Sequence, residues 1–174
     1  MDLITESKKK KFGCVMLYFD FPKIQELHNQ IDEEDIYNDD KDDFGLEKKP
    51  HTTLLYGLHE GITDQHIIDV TNNHHFGTCS LTNVSLFETN PDYDVLKFDV
   101  DGDGLHECNS DLRKYPHTND FPNYHPHLTI GYIKKGKGQK YVDKFKKLTY
   151  NLIPHHIVYS KIDGNKTEHG INIK

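Results

Sequence analysis

"KPHTTLLYG", Lys49 to Gly57, is an apolar run of strand character that opens on a histidine and carries a threonine two places later. Side chains on a strand alternate between faces, so His51 and Thr53 project together while Thr52 and Leu54 turn the other way. "YHPHLTIGYI", Tyr124 to Ile133, repeats the arrangement with His127 and Thr129. Each stretch thus presents one imidazole and one hydroxyl from a single face.

The same order of elements surrounds both stretches. "GCVMLYFD", Gly13 to Asp20, predicts a strand; Asp20 then caps a helix with Pro22 in its first turn and an apolar stripe at Ile24, Leu27 and Ile31. The acid-rich run Ile31 to Glu47 reads as a solvated helix end and loop. After the first histidine strand come a helix capped by Thr63, with Ile67 and Ile68 inward, and a strand from Cys79 to Thr89. The second half runs from a strand at Asp94–Val100 through a helix marked by Leu105, Cys108 and Leu112 to the second histidine strand. A helix marked by Tyr141, Val142, Phe145 and Leu148 follows, then a last strand at His155–Ile162, with "GINIK" as an edge. Both halves therefore read strand, helix, His-x-Thr strand, helix, strand, which is an internal duplication. The expected organisation is one domain, 1–174, with lobes at about 13–89 and 90–174. If the halves pack about a pseudo-two-fold axis, the four side chains converge on one cleft.

Composition bounds the function classes. A chain of 174 residues can bury most of its unfolded surface without cross-links. Nineteen Phe and Tyr residues (9 and 10) spread along it argue for a folded protein. No run approaches the roughly 18 apolar residues of a membrane span, and no apolar segment follows the basic N-terminus as in a secretory signal, so the cytoplasm is the expected compartment. Cys14, Cys79 and Cys108 lack zinc or disulfide spacing and read as small buried hydrophobes. A net charge of −7 opposes coating of long nucleic acid but permits a small anion in one local pocket. "DVDGDG", Asp99 to Gly104, imitates the start of a calcium loop, yet Ser110 stands where the closing glutamate belongs, so it reads as a turn feeding a helix. The pairs His74–His75 and His155–His156 point to opposite faces of a strand and make poor metal sites.

Paired histidines suit phosphodiester cleavage. With a reference pKa of about 6.5, one imidazole can accept a proton from the nucleophile while the other gives one to the leaving oxygen. Threonine hydroxyls two residues away can hydrogen-bond the non-bridging phosphate oxygens, where charge builds in the transition state. Such chemistry requires no metal or other cofactor.

With "HTT" and "HLT" on paired strands, the chain resembles the two-histidine (2H) phosphoesterase superfamily. The segments "GLEKKPHTTLLYG", "DVLKFDV", "FPNYHPHLTIGY" and "IVYSKIDG" are further similar to bacteriophage anti-CBASS phosphodiesterases of the T4 type, over about Gly13 to Lys174. That resemblance implies an α+β fold with two pseudo-symmetric lobes of antiparallel sheet and outer helices around a central cleft. It implies His51 and His127 as the catalytic pair, Thr53 and Thr129 as phosphate-orienting groups, and cyclic di- and trinucleotides with 3′–5′ linkages as substrates in an infected bacterial host. The ribose 2′-hydroxyl would attack the adjacent phosphate, a tethered nucleophile whose entropic barrier is already reduced. A monomer is expected. Tyr18 is a candidate for stacking on a base and Lys161 for reaching a phosphate or base edge. The family's C-terminal acid and tryptophan have no counterparts: the chain has no Trp, and Lys161 stands where the acid is sought. Two other readings are a 2H enzyme opening 2′,3′-cyclic phosphates at RNA ends and a non-catalytic module that sequesters cyclic nucleotides.

Overall fold

A computed structural model describes residues 11–39 and 44–173. Among these are ten strands: β1 (Gly13–Phe19), β2 (His51–Leu58), β3 (His75–Phe76), β4 (Cys79–Phe87), β5 (Tyr93–Asp101), β6 (His127–Lys134), β7 (Tyr150–Leu152), β8 (Pro154–Ser160), β9 (Lys166–His169) and β10 (Asn172–Ile173). The helices are α1 (Ile24–His28), α2 (Asp64–Thr71), α3 (Leu105–Leu112) and α4 (Gln139–Phe145). Eight strands form one sheet in the order β7-β4-β5-β6-β2-β1-β8-β9, antiparallel throughout. β10 pairs with β3 outside it.

The strand order exchanges strands between the two sequential halves. β4, the last strand of the first half, pairs with β5, the first of the second, while β8 of the second half returns to β1. A short connection explains the first exchange: only residues 88–92 separate β4 from β5, so the two close as an antiparallel hairpin. The second exchange completes the pseudo-symmetry. Each half-sheet therefore contains strands of both halves, with β2 and β6 side by side at the centre.

β2 and β6 share a single bridge, Thr52 to Leu128, and then diverge. The segment around Ile36 and Leu46 fills the gap along β6, bridging Ile133 and Gly131; His117 bridges Leu58 on β2. Thr118 approaches so closely that a Cβ on Gly57, whose φ is +115°, would lie 1.9 Å from the Thr118 carbonyl oxygen. The terminal glycine of "HTTLLYG" is thus a requirement of loop packing. Below the sheet, Val15, Leu17, Leu54, Leu96, Phe98, Leu128 and Ile130 form a core with the helices. Each such side chain, fully withdrawn from water, contributes about 1.5–3 kcal/mol.

Several local expectations shift. α1 is shorter than its stripe suggests, and Lys23 rather than Asp20 precedes it, with no side-chain cap. Thr63 caps α2 as expected, in a capping box completed by His66. The acid-rich run is not wholly solvated: Asp35 is buried and accepts hydrogen bonds from the Tyr141 hydroxyl and the Lys140 ammonium, both at 2.6 Å. Residues 40–43 of that run, like the N-terminal residues 1–10, lie outside the described residues. Cys79 and Cys108 are buried, whereas Cys14 is only partly so. Among the described residues, no helix is long and apolar enough to cross a membrane.

Asp64, at the start of α2, clamps the C-terminal hairpin. It accepts from Lys161 at 2.5 Å, from the Thr167 hydroxyl and from His169 at 3.2 Å, and these bonds, that of Lys161 foremost, draw its carboxyl down to about 2. A carboxylate depressed in the folded state stabilises the protein above its unfolded pKa and loses that effect as pH falls through the folded value. Asp64→Asn is therefore expected to lower the melting temperature at neutral pH, with the difference from wild type closing between about pH 4 and pH 2. Circular-dichroism melts across that window check it; a difference that ignores pH would refute the clamp.

Candidate active site

β2 and β6 each begin at their histidine because a proline precedes it. Pro50 and Pro126 have no N–H to give a ladder, and their carbonyls instead accept from Phe19 and Val100, each at 3.0 Å. In both stretches the histidine and threonine are partly open while the residue between them is buried. The antiparallel Thr52–Leu128 bridge brings His51 and Thr129 to one side of it and Thr53 and His127 to the other. The four residues share one face.

Both rings are held the same way. Nδ1–H of His51 donates to the Lys49 carbonyl at 2.9 Å and that of His127 to the His125 carbonyl at 3.2 Å, and among the described residues Nε2 of each has no hydrogen-bond partner. That assignment follows from the carbonyl, which can only accept. Burial is the main force lowering the pKa of His127 below its ordinary value; Lys97 and His51 add to it, against the His125 carbonyl and Asp99.

A matched pair of β-bulges aims the triplets. On β2, Val15 pairs with Leu55 but Met16 with Thr53, so Leu54 is an extra residue; on β6, Leu96 pairs with Gly131 but Lys97 with Thr129, so Ile130 is. A bulge frees a carbonyl and bends its strand. The Leu54 carbonyl accepts from Asn109 Nδ2 of α3 at 2.6 Å, and the Ile130 carbonyl from His28 Nε2 of α1 at 3.0 Å. Both donors are buried. The helix after β5 therefore pins the first triplet and the helix after β1 pins the second.

Around this centre the halves differ. Tyr18 faces His51 across the ladder and its ring lies between two imidazoles, His51 at 5.1 Å and His156 at 5.3 Å, nearly parallel to both. Both ring faces are thus occupied, so Tyr18 stands as a wall that steadies His51. Lys161 is not brought to this face. It lies beyond the end of β8, five residues from His156, with its ammonium committed to Asp64. The position facing His127 holds Asp99, and that facing Thr129 holds Lys97. A cavity of about 610 Å³ adjoins Tyr18, lined among others by Lys48, Lys49, His155, His156 and Glu168. The sequence reading gives Lys97 no role, takes Asp99 into a turn and weighs His156 only as a metal ligand, although alternation in "DVLKFDV" puts Lys97 and Asp99 on one face of an apolar strand.

Twin imidazole–hydroxyl pairs at the junction of two pseudo-symmetric half-sheets define a 2H phosphoesterase. The chain is similar in fold to Usb1 of Kluyveromyces marxianus, solved with uridine monophosphate: 12% identity, 93% of this chain and 99% of that one, TM-score 0.55. It is similar also to a protein solved as a phosphoesterase, at 12% identity over 92% of this chain and 99% of that one, TM-score 0.51. No curated protein matches it. Residues 46–169, well over half of the chain, match the family of the anti-CBASS protein Acb1, and the chain belongs to that family. It is a phosphodiesterase that counteracts CBASS.

Proposed function

We propose that the protein cuts 3′–5′ linkages of cyclic di- and trinucleotide signals without a metal, in the cytoplasm of an infected bacterium and as a monomer. The observation that carries this reading is the facing of two His-x-Thr triplets whose rings are tied at Nδ1 and offer Nε2. One Nε2 accepts the proton of the ribose 2′-hydroxyl as the 2′-oxygen bonds to phosphorus; the P–O5′ bond breaks, and the other ring's Nε2–H protonates the leaving 5′-oxygen. A 2′,3′-cyclic phosphate and a free 5′-hydroxyl result. Thr53 and Thr129 hold the non-bridging oxygens.

The cavity beside Tyr18, where Lys48, Lys49 and Lys166 stand against Asp20 and Glu168, suits the neighbouring nucleotide, since its volume falls in the usual range for small-ligand sites. A formal charge of −7 over the whole chain argues for a short anionic substrate rather than long nucleic acid. Incubation in EDTA with cyclic dinucleotides, cyclic trinucleotides and 2′,3′-cyclic mononucleotides, read by mass spectrometry, tests the proposal. Linear products from the cyclic oligonucleotides are expected. Loss of turnover in EDTA would refute the metal-free route, turnover of the mononucleotides alone would favour RNA-end processing, and binding without product would favour sequestration.

A further inference from the structure

The pseudo-symmetry fails at one place on the catalytic face. Opposite Thr53 and His51 the first half sets Met16 and Tyr18, both uncharged; opposite Thr129 and His127 the second sets Lys97 and Asp99. Lys97 is only 8% exposed, and its ammonium lies 2.7 Å from Asp99 Oδ1 and 4.6 Å from the centre of the Phe87 ring. Phe87 in turn meets the ring of His127 edge-on at 4.8 Å. The other carboxylate oxygen of Asp99 accepts from Asn83 Nδ2 at 2.7 Å.

Asn83 is itself unusual. With φ at +54° it is the one non-glycine residue in the left-handed region among the described residues, and it sits in the β4 bulge between Thr82, paired with Asp99, and Ser85, paired with Lys97. A strained residue at a bulge that ends on a carboxylate is the kind of feature a site retains. Stability gives little reason for it, because an ion pair with one partner half open to solvent contributes little, and Met16 fills the equivalent place.

We propose that Lys97 and Asp99 form a fixed dipole belonging to the active site, with Lys97 as a further catalytic residue facing the phosphate at Thr129 and Asp99 facing the cation that forms on His127. The assignment rests on the phosphodiesterase reading above and deepens it, since it makes His127 the base and His51 the acid. As His127 Nε2 takes the 2′-hydroxyl proton, the new imidazolium stands opposite a carboxylate. The negative charge gathering on the phosphate oxygens stands beside an ammonium whose side chain is almost wholly withdrawn from water, while the carboxylate that meets the imidazolium is partly open to solvent. His51 then releases its proton to the 5′-oxygen. The depressed pKa of His127 agrees, because a ring that stays neutral near pH 7 is ready to accept. Although burial alone would raise it, the carboxyl of Asp99 is held below its usual value by Lys97 and Asn83 and remains an anion.

Lys97→Met copies the first half and tests this in the full chain with a cyclic dinucleotide. Removing an electrostatic donor from such a site usually costs about 10²–10³ in kcat. Here Asp99 already shares the charge, so a fall of at least about tenfold in kcat is expected, larger than the change in KM and with an undiminished melting temperature. The groups facing His127 are Lys97 and Asp99 on β5 and His51 on β2, with the uncharged Phe87 on β4. Removing the Lys97 cation should therefore move the acid limb of the pH–rate profile upward, whereas Asp99→Asn should move it downward. Lys97→Arg should recover part of the rate, and it serves if Lys97→Met does not fold. A folded Lys97→Met protein with wild-type kcat and acid limb would overturn the dipole alone, provided wild type cleaves and His127→Ala does not. A wild-type protein that cleaves nothing would overturn the enzyme reading and the dipole with it.

Discussion

His127→Ala is expected to cut kcat for a cyclic dinucleotide by about a thousandfold or more while the protein stays folded. General acid–base catalysis by one positioned side chain contributes about 10²–10⁴, and alanine also removes the ring that fixes the nucleophile's direction. Little of the fold depends on that ring. His127 opens β6, is partly exposed, and is held through the His125 carbonyl and an edge contact with Phe87. Its melting temperature should therefore remain within a few degrees of wild type. His51→Ala should fall by a similar factor, and the double variant should lose far less than the product of the two, because both protons move in one displacement. Chromatographic product assays beside thermal melts decide it. A folded His127→Ala protein that still cleaves would remove the histidine pair from the chemistry and with it the proposed function.

The duplication was legible because strand alternation is short-range: His-x-Thr fixes a face from three residues, and two copies with like flanks imply like elements. Tertiary choices were not. The short gap between the strands at Cys79 and Asp94 does point to a β4–β5 hairpin, but nothing local says that β8 returns to β1. Asp20 resembles a cap, but Pro22 and Lys23 form a separate turn before α1 begins at Ile24. Lys161 looked like a free cation near the end of a strand, whereas Asp64, 97 residues away in sequence, takes its charge. The bulges at Leu54 and Ile130 left no sign either, because an apolar residue reads the same whether it is in register or inserted. His28 and Asn109 were unremarkable polar residues on helices until the folded chain showed which carbonyls they meet.

Those two residues carry the last expectation. Asn109→Leu should lower kcat by about a hundredfold and destabilise the protein by about 1–3 kcal/mol, the usual penalty for a buried carbonyl left without its donor. The two losses have different origins. Stability falls because the Leu54 carbonyl is enclosed by core; turnover falls because a relaxed bulge re-aims His51 and Thr53, and a displacement of about 1 Å at reacting groups can cost about 10²-fold. His28→Leu should act alike on the second triplet through Ile130. A comparison with Asp64→Asn separates positioning from mere weakening, since Asp64 clamps the opposite end of β8 and β9 and touches neither bulge. Substrate should still bind to Asn109→Leu, because Thr129 and the cavity beside Tyr18 are untouched, so most of the loss belongs in kcat rather than KM. Denaturant titration and steady-state kinetics on all three variants give the answer. If Asn109→Leu keeps wild-type turnover at a temperature where it is fully folded, the bulge carbonyl is a structural detail and the aim of His51 is set elsewhere.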